Sequence, residues 1–488
     1  MGVPSLLRFL GSATSEVHVS SFSGQCVAVD ASCWLHRGAI SCASKLLRGE
    51  PTDDYLRYPL AMVRLLEGQG VTPLLVFDGA KLPMKARTDL HRARQRAEQG
   101  SEARELLEDG GKGDASSALH RSVVVTTAMA QRLIEALKSR GVRYIVAPYE
   151  ADAQLTFLVL HGHCCLAVSE DSDLLAYGCP HILFKLSRDG HGRLASFENL
   201  QFATEAATGR LLFDGAWRNE WDEWRARLFR DMCILAGCDY LAGMPGVGVK
   251  TAHAALRAHR STEAAIRALL PADEAAEEGR SLRRSRGGNT PHGVLASYLE
   301  CFKATCELFE HQLVWDPTAR AAVPLRPRLD AHSPHAALCG PPMSEEAAAS
   351  ICEAKIDPIT LLPLGRSQSC RAMIPANSSS PTTPPRRVEL TSRFFSSHTD
   401  DLNAPPAAAP LDCSEQQSYL SECWENRRHT PQGELPDIAR AMGHKQFFNR
   451  MMQAEHRPSK RSLSVPDISS ISADFLIKIR RRTSPHLN

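Results

Sequence analysis

Four short apolar runs in the first third of the chain each lead into acidic residues. Cys26-Val27-Ala28-Val29 runs into Asp30, and Leu74-Leu75-Val76-Phe77 runs into Asp78. Tyr144-Ile145-Val146-Ala147 leads to Glu150 and Asp152, and Leu166-Ala167-Val168 to Asp171 and Asp173. Runs this short and this rich in Val, Ile and Leu predict strands buried on both faces of a parallel sheet. In open α/β sheets the ligand site lies beyond the carboxyl ends of the strands, so these acids are predicted to converge at one edge. A single strand-end Asp is most simply a helix cap. Four strands ending alike, with the tight clusters Glu150-Ala151-Asp152 and Glu170-Asp171-Ser172-Asp173, call for more. Carboxylates gathered in one place repel one another unless cations hold them. Oxygen donors without neighbouring His or Cys point to Mg²⁺ or Mn²⁺ and to two-metal phosphodiester chemistry.

Composition narrows the setting more than the activity. The net charge of the 488 residues is only +2, so any nucleic-acid surface must be local. The 15 cysteines include no C-x-x-C pair and no Cys/His zinc spacing. They sit mostly in apolar runs, at Cys26, Cys33, Cys164, Cys165 and Cys233, and read as free thiols of a reducing compartment. There is no run of 18 apolar residues and no signal-peptide core, and Leu6 stands where a myristoylation motif wants Ser or Thr. A soluble intracellular chain, with no membrane partner, is expected.

Strand–helix alternation runs from about residue 1 to 260. A charged stretch without strand pattern interrupts it at 79–121. This stretch is basic at Lys81, Lys85, Arg87, Arg92, Arg94 and Arg96, then acidic, and it predicts a mobile helical insertion. A Trp-rich loop is expected at 205–224, with helical and irregular segments wrapping back on the core at 290–365. Beyond 366, Pro- and Ser-rich tracts predict a largely disordered tail.

Three blocks make a resemblance specific: Val76-Phe77-Asp78-Gly79, Ala147-Pro148-Tyr149-Glu150-Ala151-Asp152-Ala153-Gln154 and Ser169-Glu170-Asp171-Ser172-Asp173. With Met1-Gly2-Val3 and Gly237-Cys238-Asp239-Tyr240, they resemble the signature blocks of the flap endonuclease/XPG (Rad2-type) family of 5′ nucleases. The resemblance covers roughly 1–350. Cys33-Trp34-Leu35-His36, Gly49-Glu50-Pro51-Thr52-Asp53 and Met232-Cys233-Ile234-Leu235 are most similar to the exonuclease branch of that family.

The resemblance implies an α/β fold with a mostly parallel, PIN-like sheet, a helical arch, a helix-turn-helix element and the disordered tail. Its implied parts are an N-terminal nuclease region with the start of the arch at 1–99 and the rest of the arch at 100–137. An internal nuclease region follows at 138–235, then the helix-turn-helix at 236–290, a helical extension at 291–365 and an interaction tail at 366–488. It further implies that Asp30, Asp78, Glu150, Asp152, Asp171, Asp173 and Asp239 hold two Mg²⁺ ions, for which Mn²⁺ can substitute. Lys85 and Arg92, seven residues apart on one helix face, match the basic pair that reaches the scissile phosphate. Arg96 and Arg121 are weaker phosphate-contact candidates.

Gly246, Gly248 and Lys250, in Met244-Pro245-Gly246-Val247-Gly248-Val249-Lys250-Thr251, match the turn that grips one DNA strand with a bound K⁺. His36, beside Trp34 and Leu35, falls where the family wedges a duplex apart. Ser32 departs from the pattern, standing where the family carries a base-stacking aromatic. In the tail, Ser392-Arg393-Phe394-Phe395 resembles a docking motif for MutL-type mismatch-repair proteins, and Gln446-Phe447-Phe448 is a weaker candidate. Ser380-Pro381 and Thr383-Pro384 are candidate phosphorylation sites, and Lys478-Ile479-Arg480-Arg481-Arg482 a candidate nuclear-import patch.

The activity implied is Mg²⁺-dependent 5′→3′ digestion of double-stranded DNA at 5′ ends, nicks, gaps or flaps. A nuclear monomer serving mismatch repair and end resection, with MutL/MutS-type partners, is expected. A dedicated flap endonuclease and a non-catalytic repair adaptor are the alternatives. A phosphatase would need Asp-x-Asp after the first strand, where the chain reads Asp30-Ala31-Ser32.

Overall fold

The four acid-bearing runs lie side by side as parallel strands. They are β2 (Cys26–Asp30), β3 (Thr72–Phe77), β4 (Arg143–Val146) and β5 (Leu166–Val168). A computed structural model describes residues 2–108, 112–205, 207–213, 223–270, 291–328 and 333–364. Its main sheet has seven strands in the order β1-β7-β6-β5-β2-β3-β4, where β1 is Thr14–His18, β6 His181–Phe184 and β7 His191–Ser196. The pairs β2–β3, β2–β5, β3–β4 and β5–β6 are parallel, while β7 runs antiparallel to β6 and β1. The sheet is therefore mostly parallel, with an antiparallel edge away from the acids.

Side-chain alternation divides the core in two, because successive residues of a strand point to opposite faces. Val27, Val29, Leu75, Phe77, Leu166 and Val168 face one apolar cluster, with Trp34 and Leu35 of the helix Ala31–Ile40 and Leu133 and Leu137 of the helix Thr127–Lys138. Ala28, Leu74, Val76, Ala167 and Ile182 face the other, with the helices Ala151–Leu160, Glu223–Leu235 and Pro291–His311 packed over them. Leu75, on β3, is fully buried. Truncating such a leucine to alanine typically costs about 2–5 kcal/mol.

The charged interruption folds as two helices, Ala86–Glu108 and Lys112–Ser122, that pack on each other. Lys85 itself lies in the 3₁₀ turn Pro83–Lys85 that precedes the long helix. The expectation that Lys85 and Arg92 share one α-helix is corrected accordingly, since Pro83 tightens the entry turn before α-helical hydrogen bonding begins. Within 205–224, only 205, 207–213 and 223–224 are described, and there Thr204 and Leu211 form an isolated antiparallel bridge.

After the helix Pro291–His311, the hairpin β8 (Leu313–Asp316) and β9 (Ala321–Pro324) packs on the helix Ala151–Leu160. Gln154, buried, ties the two together: its amide donates to the Trp315 carbonyl at 2.8 Å and accepts from the Trp315 amide at 2.7 Å. Among the described residues no helix is long and apolar enough to cross a membrane. The tail motifs at 392–395 and 446–448, the Ser-Pro and Thr-Pro sites and the basic patch at 478–482 lie outside the described residues.

Candidate active site

Parallel strands deliver their carboxyl ends to the same sheet edge, and the acids follow directly. Asp30 closes β2 and caps the helix Ala31–Ile40, accepting from the Cys33 amide at 3.1 Å and from the Ser169 hydroxyl at 2.8 Å. Asp78 follows β3, accepting from the Ala151 amide at 3.0 Å and the Ser32 hydroxyl at 2.6 Å. Glu150 and Asp152 stand at the mouth of the helix Ala151–Leu160. Asp171 follows β5 and accepts from the Asp173 amide at 3.0 Å, while its own amide donates to Ser169. Asp239 arrives from elsewhere, in the loop after the helix Glu223–Leu235.

The arch residues close over this edge. Lys85 is hydrogen-bonded to Glu150 and stands 3.3 Å from Asp239. Arg92 holds Asp239 through both guanidinium nitrogens, donating to Oδ2 at 2.9 Å and also to Oδ1. The Thr88 hydroxyl donates to the Asp239 carbonyl at 2.7 Å. Beneath them, buried Tyr177 and Tyr240 share a hydrogen bond of 2.7 Å, and the Lys85 ammonium sits 5.9 Å from the Tyr240 ring. The chain's N-terminal end also belongs here. Gly2 has φ +80°, and a Cβ there would come within 2.3 Å of an Asp171 carboxylate oxygen.

Electrostatics divide the acids into two groups. Burial, followed by the nearby Asp78 charge, pushes Asp30 up to about 6. Burial pushes Glu150 up to about 7 against the pull of Lys85. Asp152 and Asp173 are driven well above the carboxylate range by burial and then by Asp171, and Asp171 is also raised. Asp239 alone is held low, because Lys85 and Arg92 together outweigh its burial. Asp30, Glu150, Asp152, Asp171 and Asp173 thus lack the positive charge their ionised forms require.

Does this donor set fit divalent cations? The donors are carboxylate oxygens, and Asp173 Oδ1 is buried with no hydrogen-bond partner. Yet among the described residues no three His, Cys, Asp or Glu side chains form a group able to hold a metal ion as they stand. Lys85 and Arg92 engage Glu150 and Asp239, so these two acids are turned toward the arch cations. The chemistry fits a hard cation, and a closed coordination sphere requires these side chains to re-aim.

The remaining candidates are more dispersed. Arg96 is half-buried on the arch, and its charge, after burial, lowers His36. Trp34 and Leu35 are core residues, which leaves His36 as the part of that block open to a ligand. Arg121 is exposed on Lys112–Ser122. Gly246 has φ +77° in an exposed turn, Gly248 caps the helix Val249–His259, and Lys250 is exposed in its first turn. Nothing lies within 4 Å of a Cβ at either glycine, so the backbone there is open to an anion. Ser169, Thr88 and Ser32 were missed as site residues. The first sits inside the Ser169-Glu170-Asp171-Ser172-Asp173 block, and the contacts of the other two carry no sequence signal.

The site is thus a polycarboxylate edge on a mostly parallel sheet, roofed by a cationic helical arch. Residues 1–99 match the XPG N-terminal domain and residues 141–239 the XPG I-region. It is 36% identical over 358 residues to exonuclease 1 of Xenopus laevis, covering 73% of this chain and 45% of that protein. With exonuclease 1 of Drosophila melanogaster the identity is 43% over 252 residues, 52% of this chain and 33% of the relative. The chain thus spans less than half the length of these relatives. Among solved structures, the catalytic core of Rad2 in complex with DNA substrate aligns with 53% of this chain and 69% of its own, at 22% identity and a TM-score of 0.39.

Proposed function

We propose that the protein is a divalent-metal-dependent 5′→3′ exonuclease of double-stranded DNA that also cleaves 5′ flaps. The observation that carries this reading is the set of buried, mutually repelling carboxylates at the strand ends with Lys85 and Arg92 reaching into it. Asp30, Asp78, Glu150, Asp152, Asp171, Asp173 and Asp239 are the residues that would hold two Mg²⁺ ions, or Mn²⁺ in their place. Such ions supply an activated water and stabilise the leaving oxygen.

The chain's own groups do the rest. Ser169 and the Cys33 amide fix Asp30, while Ser32 and the Ala151 amide fix Asp78, so two carboxylates are pre-aimed. A phosphodiester entering beneath the arch competes with Glu150 and Asp239 for Lys85 and Arg92. Once transferred to the phosphate, the ammonium and guanidinium stabilise the charge that builds up on it. The amides around Gly246 and Gly248 and the Lys250 ammonium grip a phosphate of the duplex at a turn that would also hold K⁺, and Arg96 and Arg121 add contacts along the arch. His36 separates the strands at the cleavage point. These contacts touch backbone, so recognition follows DNA shape.

The division into nuclease regions at 1–99 and 138–235, arch remainder at 100–137, DNA-gripping element at 236–290, extension at 291–365 and interaction tail is part of this proposal. So are a monomeric state, a nuclear location, a role in mismatch repair and end resection, and MutL/MutS-type partners reached through 392–395. The test is digestion of end-labelled blunt, gapped and 5′-flapped duplexes with Mg²⁺ and with EDTA. Release of nucleotides from 5′ ends in Mg²⁺ alone is expected. Cleavage confined to flaps would make it a dedicated flap endonuclease, and no cleavage of any substrate would overturn the reading.

A further inference from the structure

At the end of β2 remote from the acids, three reactive groups meet. Cys26 Sγ lies 3.4 Å from Cys164 Sγ, and the Arg143 guanidinium donates to Cys26 Sγ at 3.1 Å. The pairing is built into the sheet. The Cys165 amide donates to the Cys26 carbonyl at 2.8 Å, which sets the register of β5 against β2. Alternation then turns Cys164 to the same face as Cys26, while Cys165 joins the apolar cluster on the other.

Cys26 is distinct among the described thiols. The hydrogen bond with Cys164 lowers it, and against the cost of burial the Arg143 charge lowers it further, to about 7. Burial raises Cys33, Cys42, Cys165, Cys179 and Cys233 instead, and Cys164 is raised by its bond to Cys26. Cys26 is also only half-buried. Arg143, which donates to it, lines a cavity of about 580 Å³ together with Tyr144, Leu158 and His163. Thiolate character, access and a resolving thiol in contact are the features of a peroxide-reactive cysteine.

We propose that Cys26 and Cys164 form a peroxide-oxidised dithiol that closes to a reversible disulfide between β2 and the start of β5. The Cys26 thiolate attacks one oxygen of hydrogen peroxide. A sulfur–oxygen bond forms, the oxygen–oxygen bond breaks, and hydroxide leaves to become water. Cys26, oxidised by two electrons, is then a sulfenic acid. Cys164 Sγ attacks that sulfur, so a sulfur–sulfur bond forms as the sulfur–oxygen bond breaks. The Cys164 proton leaves with the hydroxyl as a second water. The bridge joins two strands that carry active-site acids, about 13 Å along β2 from Asp30 at ~3.3 Å per residue.

The test is peptide mapping of the full chain after stepwise hydrogen peroxide, with dimedone as sulfenic-acid trap and iodoacetamide as thiol trap. A Cys26–Cys164 disulfide peptide that appears before any other oxidised cysteine and is reversed by dithiothreitol is expected. Cys164→Ser should stop at the dimedone adduct of Cys26. Arg143→Met should slow alkylation of Cys26 at pH 7 by about tenfold as the thiolate fraction falls. Oxidation beginning at another cysteine, a Cys26 adduct in the wild type with no bond to Cys164, or equal yields of the disulfide from urea-unfolded chain would each overturn the proposal. The wild-type map decides the matter even where a variant fails to fold.

Discussion

The sheet edge and the arch supply opposite charges to one site, and they hold them in different ways. Asp30, Asp78 and Asp171 stand at the ends of neighbouring hydrogen-bonded strands and are fixed by Ser169, Ser32 and backbone amides. Lys85 and Arg92 come from an insertion tethered through the Pro83–Lys85 turn and pinned to the edge chiefly by charge, at Glu150 and Asp239. The acids are therefore placed by the fold, whereas the cations are placed by the acids. A site built this way keeps its anions in position and releases its cations when a better anion, such as a phosphate, arrives.

The largest effect should come from breaking the fixed side. Asp173→Ala removes a buried carboxylate whose Oδ1 is unpartnered, and cleavage should fall by at least about 10³-fold while duplex binding changes little. Single-turnover rates set beside binding isotherms check this. A comparable loss in both would make Asp173 a docking residue.

Next comes the arch side. Arg92→Ala should lower kcat by about 10²-fold, as loss of a charge-stabilising donor does, with a smaller change in duplex affinity. If affinity fell as far as kcat, the arch cations would serve docking alone. Asp239 would meanwhile lose the bidentate partner that keeps it ionised, which carboxyl-resolved NMR titration reads as an upward shift.

The charge deficit of the sheet-borne acids sets a pH dependence. Glu150 at about 7 and Asp30 at about 6 bind protons more tightly folded than unfolded. The folded state therefore holds more protons between the unfolded carboxylate range and pH 7, and stability falls as pH rises through that window. With EDTA present, the melting temperature should be lower at pH 8 than at pH 6, by a deficit of about 1–3 kcal/mol, and Mg²⁺ should recover it. A melting temperature that is flat with pH and indifferent to Mg²⁺ would remove the charge deficit from the account.

The smallest effect tests how far second contacts matter. Ser32→Ala deletes the 2.6 Å hydrogen bond to Asp78, and about a three- to tenfold loss of rate is expected, near 1 kcal/mol. An unchanged rate would mean that the Ala151 amide alone orients Asp78.

The two sides were also unequally legible in the sequence. Strand ends are encoded locally: an apolar run such as Leu74–Phe77 states both the strand and the edge at which Asp78 emerges. Parallel pairing then brings those edges together without further information. The helical nature of 86–108 was readable from its charge and lack of strand pattern. That Lys85 sits in a 3₁₀ turn and grips Glu150, 65 positions onward, depends on a long-range charge balance. Ser32 illustrates the limit most plainly. Its residue type marked the absence of an aromatic, and only the fold revealed that its hydroxyl orients a carboxylate. The Cys26–Cys164 contact escaped for the same reason, as 138 positions separate the two thiols.

Binding of Mn²⁺ to the purified chain, followed by electron paramagnetic resonance at pH 8 in the absence of DNA, tests the central claim most directly. Loss of the free-ion signal in the wild type is predicted, with the signal restored in Asp152→Asn and Asp173→Asn variants that retain the native circular dichroism. A wild-type chain that leaves Mn²⁺ free at millimolar concentration, or variants that bind it as well as the wild type, would contradict the assignment of these carboxylates as a metal site.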